Sequence, residues 1–142
     1  MPRLNGAPIP RSIVNLIFSG AAQRFADVNF IFSHGGGVLT AVAERLQIQM
    51  VSTPPYKGKF TRETVDGQLR RFYYDTAQVA NAVTIGALAK LVSVLQIVFG
   101  TDYPYRSGAE HAKGIAANFS AGELKAIDRE NVLRILPRLR TA

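Results

Sequence analysis

The sequence contains no cysteine and no tryptophan, and only two histidines among 142 residues. Without cysteine there is no disulfide framework, no thiolate nucleophile and no cysteine-ligated metal site. That absence is compatible with a reducing compartment, and we expect a cytoplasmic protein. The first ten residues hold three prolines and lack the apolar segment that a secretory leader needs. Long hydrophobic runs are missing as well. The longest apolar stretch, residues 79–99, is broken by Asn81, Thr84, Gly86, Lys90, Ser93 and Gln96. It divides into a helix and a strand rather than a membrane span, so no membrane partner is expected. No Walker-type loop or serine nucleophile elbow is present, and Gly35-Gly36-Gly37 lacks the spacing of a dinucleotide fingerprint.

Acidic residues are also scarce. Seventeen Lys and Arg face ten Asp and Glu, for a formal charge of +7. A charge of this sign fits nucleic acid, a solvated surface, or a half-domain whose partner is more acidic. The densest group, Arg129, Arg134, Arg138 and Arg140, forms no basic stripe with interleaved stacking aromatics. We therefore expect no nucleic-acid partner.

The chain is long enough for one domain with a core, and 47% of its residues are hydrophobic. Residues 1–10 read as an irregular lead-in. Ile13, Leu16, Ile17, Ala21 and Phe25 recur at helical spacing and predict a helix over 11–25. Short apolar runs predict strands over 28–33, 72–76 and 96–101. Helices are predicted over 38–50, 61–71 and 77–94, and a loop followed by a helix over 103–118. Ser120 and Glu123 form a capping box for a helix over 120–126, and Asp128 is expected to cap a last helix ending near 136. Strands that alternate with helices imply an α/β fold with a parallel sheet.

Two of these strands end in chemically able side chains. The first runs Phe30-Ile31-Phe32-Ser33-His34 into the three glycines, and the third runs Ile97-Val98-Phe99-Gly100-Thr101-Asp102. Parallel α/β folds place their active sites at such strand exits. An imidazole there can move a proton near neutral pH or ligate a metal; the alternative is a hydrogen-bonded histidine before a turn. A carboxylate at Asp102 suits Zn or Mn, and the alternative is a turn-forming Asp. Asp75 ends the middle strand and serves equally as a cap for the helix after it. Tyr103, Tyr105 and Arg106 follow Asp102, where they could contact an aromatic or acidic substrate or line a surface loop. His111 lies in a helix with Glu110 and Lys113 and is expected to be exposed, with no role.

The ordered set of segments Ile17-Phe18-Ser19-Gly20, Asn29 to Gly37, Phe72 to Ala77, Val98 to Pro104 and Ile127 to Leu136 covers nearly the whole chain. It resembles the C-terminal part of the amidohydrolase-related family that includes aminocarboxymuconate-semialdehyde decarboxylase and resorcylate decarboxylases. The resemblance implies a partial TIM barrel, roughly strands six to eight of a (β/α)8 metal-dependent fold, over residues 1–142. It implies a divalent metal, Zn or Mn, with Asp102 as a metal ligand and His34 as the acid/base. By their position after Asp102, Tyr103 and Arg106 are expected to face the substrate. The implied reaction is non-oxidative decarboxylation, or hydrolysis, of an unsaturated or aromatic carboxylic acid. The family's His-x-His or Glu-x-His metal pair on strand one and its histidine ligand on strand five have no counterpart here. A full barrel takes about 250 residues. The chain thus reads as part of an enzyme, or as a non-catalytic remnant or half-barrel, with self-association or a missing N-terminal half completing it.

Overall fold

The computed structural model describes residues 8–140. Three short strands, β1 (Ile31–Phe32), β2 (Tyr73–Asp75) and β3 (Ile97–Val98), form one parallel sheet in the order β1-β2-β3. Ile31 pairs with Tyr73 and Phe32 with Tyr74; Tyr74 pairs with Ile97 and Asp75 with Val98. The helices are α1 (Pro8–Phe18), α2 (Ala21–Arg24), α3 (Leu39–Glu44), α4 (Arg62–Arg71), α5 (Ala82–Leu91), α6 (Gly108–Ala116), α7 (Ala121–Lys125) and α8 (Asn131–Ile135). A wider π-helical stretch, Arg45–Met50, prolongs α3, and another, Ala126–Glu130, joins α7 to α8.

Several sequence expectations change in detail. The lead-in does not extend to residue 10, because α1 already begins at Pro8; residues 1–7 lie outside the described residues. Proline fits the first helical turn, where its missing N–H has no partner to lose. The helix expected over 11–25 breaks at Ser19-Gly20, where Gly20 takes a φ of 77°. Phe25 consequently falls outside the buried stripe and is exposed. The helix expected from residue 77 starts at Ala82, because Asn81 accepts the Thr84 N–H and caps it there. Asp128 caps nothing: the turns from α7 to α8 are continuous, and it lies exposed within them. The capping box between Ser120 and Glu123 forms as its spacing requires.

β2 is the central strand and carries the core. Phe72 and Tyr74 are fully buried, and the Tyr74 hydroxyl donates to Leu69 O at 2.9 Å. Ile13 and Ile17 of α1, Leu69 of α4, Ile85 and Leu88 of α5, and Ile127 close around it. The glycine run after β1 owes its composition to this packing. A Cβ on Gly36 would lie 3.1 Å from the Tyr74 ring, and the residue also holds a φ of 77° that β-carbon-bearing residues avoid. Arg71 braces the approach to β1 by donating to Ala22 O and Ala26 O at 2.7 and 2.9 Å.

The two edges of the sheet differ. Among the described residues β1 has no second strand neighbour, and Ile31 is 46% exposed. On the outer side of β3, Phe99 N–H donates to Ile127 O at 3.0 Å. There the buried Asn131 also donates from Nδ2 to Ile97 O at 2.7 Å and to Val94 O at 2.8 Å. The C-terminal helical turns thus satisfy the Phe99 N–H and the Ile97 carbonyl on this side. Asn131→Ala strips two carbonyls of this donor, and we expect a loss of about 2 kcal/mol in urea denaturation.

Candidate functional site

The three strand tips converge, and bonds from β2 hold them together. β2 ends in Asp75, followed by Thr76. Asp75 Oδ1 accepts the His34 backbone N–H at 2.8 Å and the Ala77 N–H at 3.0 Å. One carboxylate oxygen therefore ties the tip of β1 to the tip of β2, and Asp75 caps no helix. His34 adopts a φ of 53°, a left-handed conformation that costs free energy and needs such an external tether. Its ring is half-buried, and Nδ1 is enclosed without a hydrogen-bond partner. An unsatisfied buried nitrogen costs about 1–3 kcal/mol.

On the other side, Gly100 brings the tip of β3 against Asp75. A Cβ on Gly100 would meet Asp75 Cβ at 3.2 Å and Oδ2 at 3.4 Å, so a larger residue would push the carboxylate away. Asp102 follows with a φ of 62°. Its side chain forms no turn with the backbone; Oδ2 accepts from Gln78 Nε2 instead. Gln78 is also left-handed, with a φ of 58°. Burial raises the Asp75 carboxyl above its ordinary range and the charge of Asp102 adds to this, while the amides of His34 and Ala77 pull the other way.

The residues after Asp102 divide. Tyr103 and Tyr105 stand in solvent, 80% and 84% exposed. Arg106 instead lines a cavity of about 210 Å³ with Ala80, Ser107, Glu110 and His111. A larger hollow of about 550 Å³, lined by Leu16, Phe18 and Tyr56 among others, holds no carboxylate or imidazole.

His111 corrects the sequence reading outright. It is only 4% exposed, its ring packs 5.8 Å from that of Phe99, and Nε2 lies 3.2 Å from Thr76 Oγ1. A signal was available: His111 and Ile115 fall at i and i+4, the buried side of α6. Thr76 and Gln78 were missed as well, because a threonine and a glutamine beside a strand end carry no signature of their own.

For a metal, the donor set is incomplete. Asp102 is a suitable oxygen ligand, but a catalytic Zn site takes about three protein ligands. Among the described residues no three His, Asp or Glu side chains gather into a group that could hold a metal ion. The residues present do not by themselves fit the metal that the resemblance implies. No described helix is long and apolar enough to cross a membrane.

Burial holds the His111 imidazole below the ordinary histidine range; the cation of Arg106 acts in the same direction, and Asp75 opposes it. The unfolded chain therefore takes up this proton first as the pH falls. The stabilisation is complete above about pH 6.5 and declines below it, levelling off under the folded-state value. Urea midpoints measured between about pH 7.5 and pH 5 should show this slope, and His111→Gln should remove it.

Comparison with known proteins bears on the family and the fold. The 6-methylsalicylic acid decarboxylase of Aspergillus aculeatus is 31% identical over 144 residues, covering 93% of this chain and 42% of the relative. The 6-methylsalicylic acid decarboxylase of Penicillium expansum is 32% identical over 137 residues, covering 92% of this chain and 41% of the relative. The chain thus spans about two fifths of the length of these relatives. Among solved structures, a dihydroxybenzoic acid decarboxylase from Polaromonas sp. JS666 superposes with a TM-score of 0.83 at 20% identity. It covers 96% of this chain and 42% of that one, and was solved with bound manganese and the inhibitor 2-nitroresorcinol. That likeness establishes an α/β fold of the kind these decarboxylases have. The sequence pattern of the amidohydrolase family matches residues 10–138, nearly everything the structure describes, and on that match the chain belongs to the amidohydrolase family.

Proposed function

We propose that this chain is the C-terminal portion, roughly strands six to eight, of a (β/α)8 enzyme that removes a carboxylate from an aromatic or unsaturated carboxylic acid without oxidation. One observation carries the reading. His34, Asp75 and Asp102 stand at the ends of three adjacent parallel strands, and His34 Nδ1 is enclosed without a partner. The decarboxylase relatives support the reaction class.

The required chemistry is a proton transfer. A proton is added to the carbon that bears the carboxylate, the bond between that carbon and the carboxylate breaks, and CO₂ leaves. The electron pair of that bond stays on the carbon and balances the added proton. His34 is the group placed to move the proton. Asp75 holds the His34 backbone and keeps its ring at the strand exit. Asp102 contributes one ligand to a divalent metal, Zn or Mn, and the remaining ligands come from outside residues 8–140. Tyr103 and Arg106 face the substrate from the loop after β3. Hydrolysis of a related bond would use the same proton-moving group.

The lack of a metal-capable group among the described residues favours a second reading, in which the chain is inactive alone and needs a partner chain. Both readings meet in one experiment. The chain is mixed with the complementary portion of a decarboxylase relative, and turnover and metal content are measured together. In the complemented enzyme, His34→Ala should lower turnover by about 10²–10⁴-fold while leaving the metal in place. Asp102→Ala should lower both. Full activity in either variant overturns the assignment. The isolated chain, offered Zn and Mn, should hold no stoichiometric metal by elemental analysis.

A further inference from the structure

Thr76 is fully buried, and its hydroxyl makes more bonds than packing requires. Oγ1 donates to Gly100 O at 2.9 Å and accepts from Gly100 N–H at 3.0 Å. Both backbone groups of one residue are thus held by a single side-chain atom, just beyond the last paired residues of β2 and β3. The Thr76 N–H also donates to Val98 O at 3.0 Å. A third partner, His111 Nε2, reaches the same oxygen at 3.2 Å.

Valence fixes the direction of that third bond. A hydroxyl has one proton and two lone pairs. Its proton is on Gly100 O, and one lone pair is taken by Gly100 N–H. In that arrangement His111 Nε2 can only donate, which places the hydrogen of the neutral ring on Nε2. The position of His111 is fixed independently. Three residues further along α6, Gly114 lies so close to the loop after Thr76 that a Cβ there would stand 2.6 Å from Ala80 O. The helix seats on the same loop that carries Gln78, the donor to Asp102.

We propose that His111 is a positioning residue of the strand-tip site: by donating from Nε2 to Thr76 Oγ1, it fixes the hydroxyl that clamps Gly100 and so sets the direction in which Asp102 leaves β3. The clamp stands on the geometry alone; its consequence for catalysis rests on reading Asp102 as a functional carboxylate.

The test uses the full chain, labelled with ¹⁵N. The His111 ring should show the Nε2-protonated tautomer at neutral pH, and a ring protonated on Nδ1 alone overturns the proposal without any variant. Hydrogen exchange at the Gly100 amide is then compared across four variants. His111→Phe keeps a ring against Phe99 but removes the donor. It should speed Gly100 exchange about tenfold and move the Asp102 amide resonance, as expected for one lost hydrogen bond. Thr76→Val should do the same or more, whereas His111→Gln and Thr76→Ser, which keep a donor and a hydroxyl, should restore slow exchange. A folded His111→Phe chain with unchanged Gly100 exchange and an unchanged Asp102 resonance overturns the proposal. If these NMR results hold while Asp102→Ala leaves the complemented enzyme fully active, the functional reading fails and the clamp stands.

Discussion

The dipeptide Asp75-Thr76 is the joint on which this structure depends. Strands of two or three residues supply few ladder bonds of their own. Side-chain atoms from the end of the central strand take over: Asp75 Oδ1 receives the amide of His34 on one side, and Thr76 Oγ1 holds both backbone groups of Gly100 on the other. Each of these bonds is buried or half-buried, where an unmade partner costs more than a made one gains. The same two residues therefore hold the sheet together and aim the groups at its exit. A change at this joint therefore alters both the stability of the sheet and the placement of the groups at its exit.

Left-handed backbone is concentrated at this joint. His34, Gln78 and Asp102 are the three described non-glycine residues with positive φ, and all three lie just past strand ends. Such conformations persist where surrounding bonds over-determine them. Asp75 restrains the first, and the Gln78–Asp102 hydrogen bond couples the other two. The glycines around them do complementary work, since Gly100 and Gly36 leave room for Asp75 and Tyr74 to cross close to neighbouring backbone.

The alternation of strands and helices was legible in the sequence, and so was the position of His34 and Asp102 at strand exits. Apolar runs ending in glycine carry that information directly. Strand lengths were less legible, because residues such as Val28 and Thr101 have strand-like character but find no strand partner in the sheet. Helix starts shifted wherever a capping residue lay further along than the apolar pattern suggested, as Asn81 shows. The role of His111 was hidden for a different reason. Its neighbours Glu110 and Lys113 mark an exposed face and outweigh the single i, i+4 pairing with Ile115, while the approach of α6 to Ala80 brings the imidazole under cover. Thr76 and Gln78 act through bonds to residues 24 positions away, which no local pattern encodes.

Asn131 and the Ile127 carbonyl bond the outer side of β3, while among the described residues β1 has no strand neighbour on its outer side. In this chain by itself the two margins of the sheet are unequal, and the one beside β1 is the more open. Any polypeptide that extended this one in register would lie alongside Ile31, and if parallel its far end would emerge next to His34. Among the described residues the more open margin therefore lies on the His34 side of the strand tips rather than on the side of Asp102.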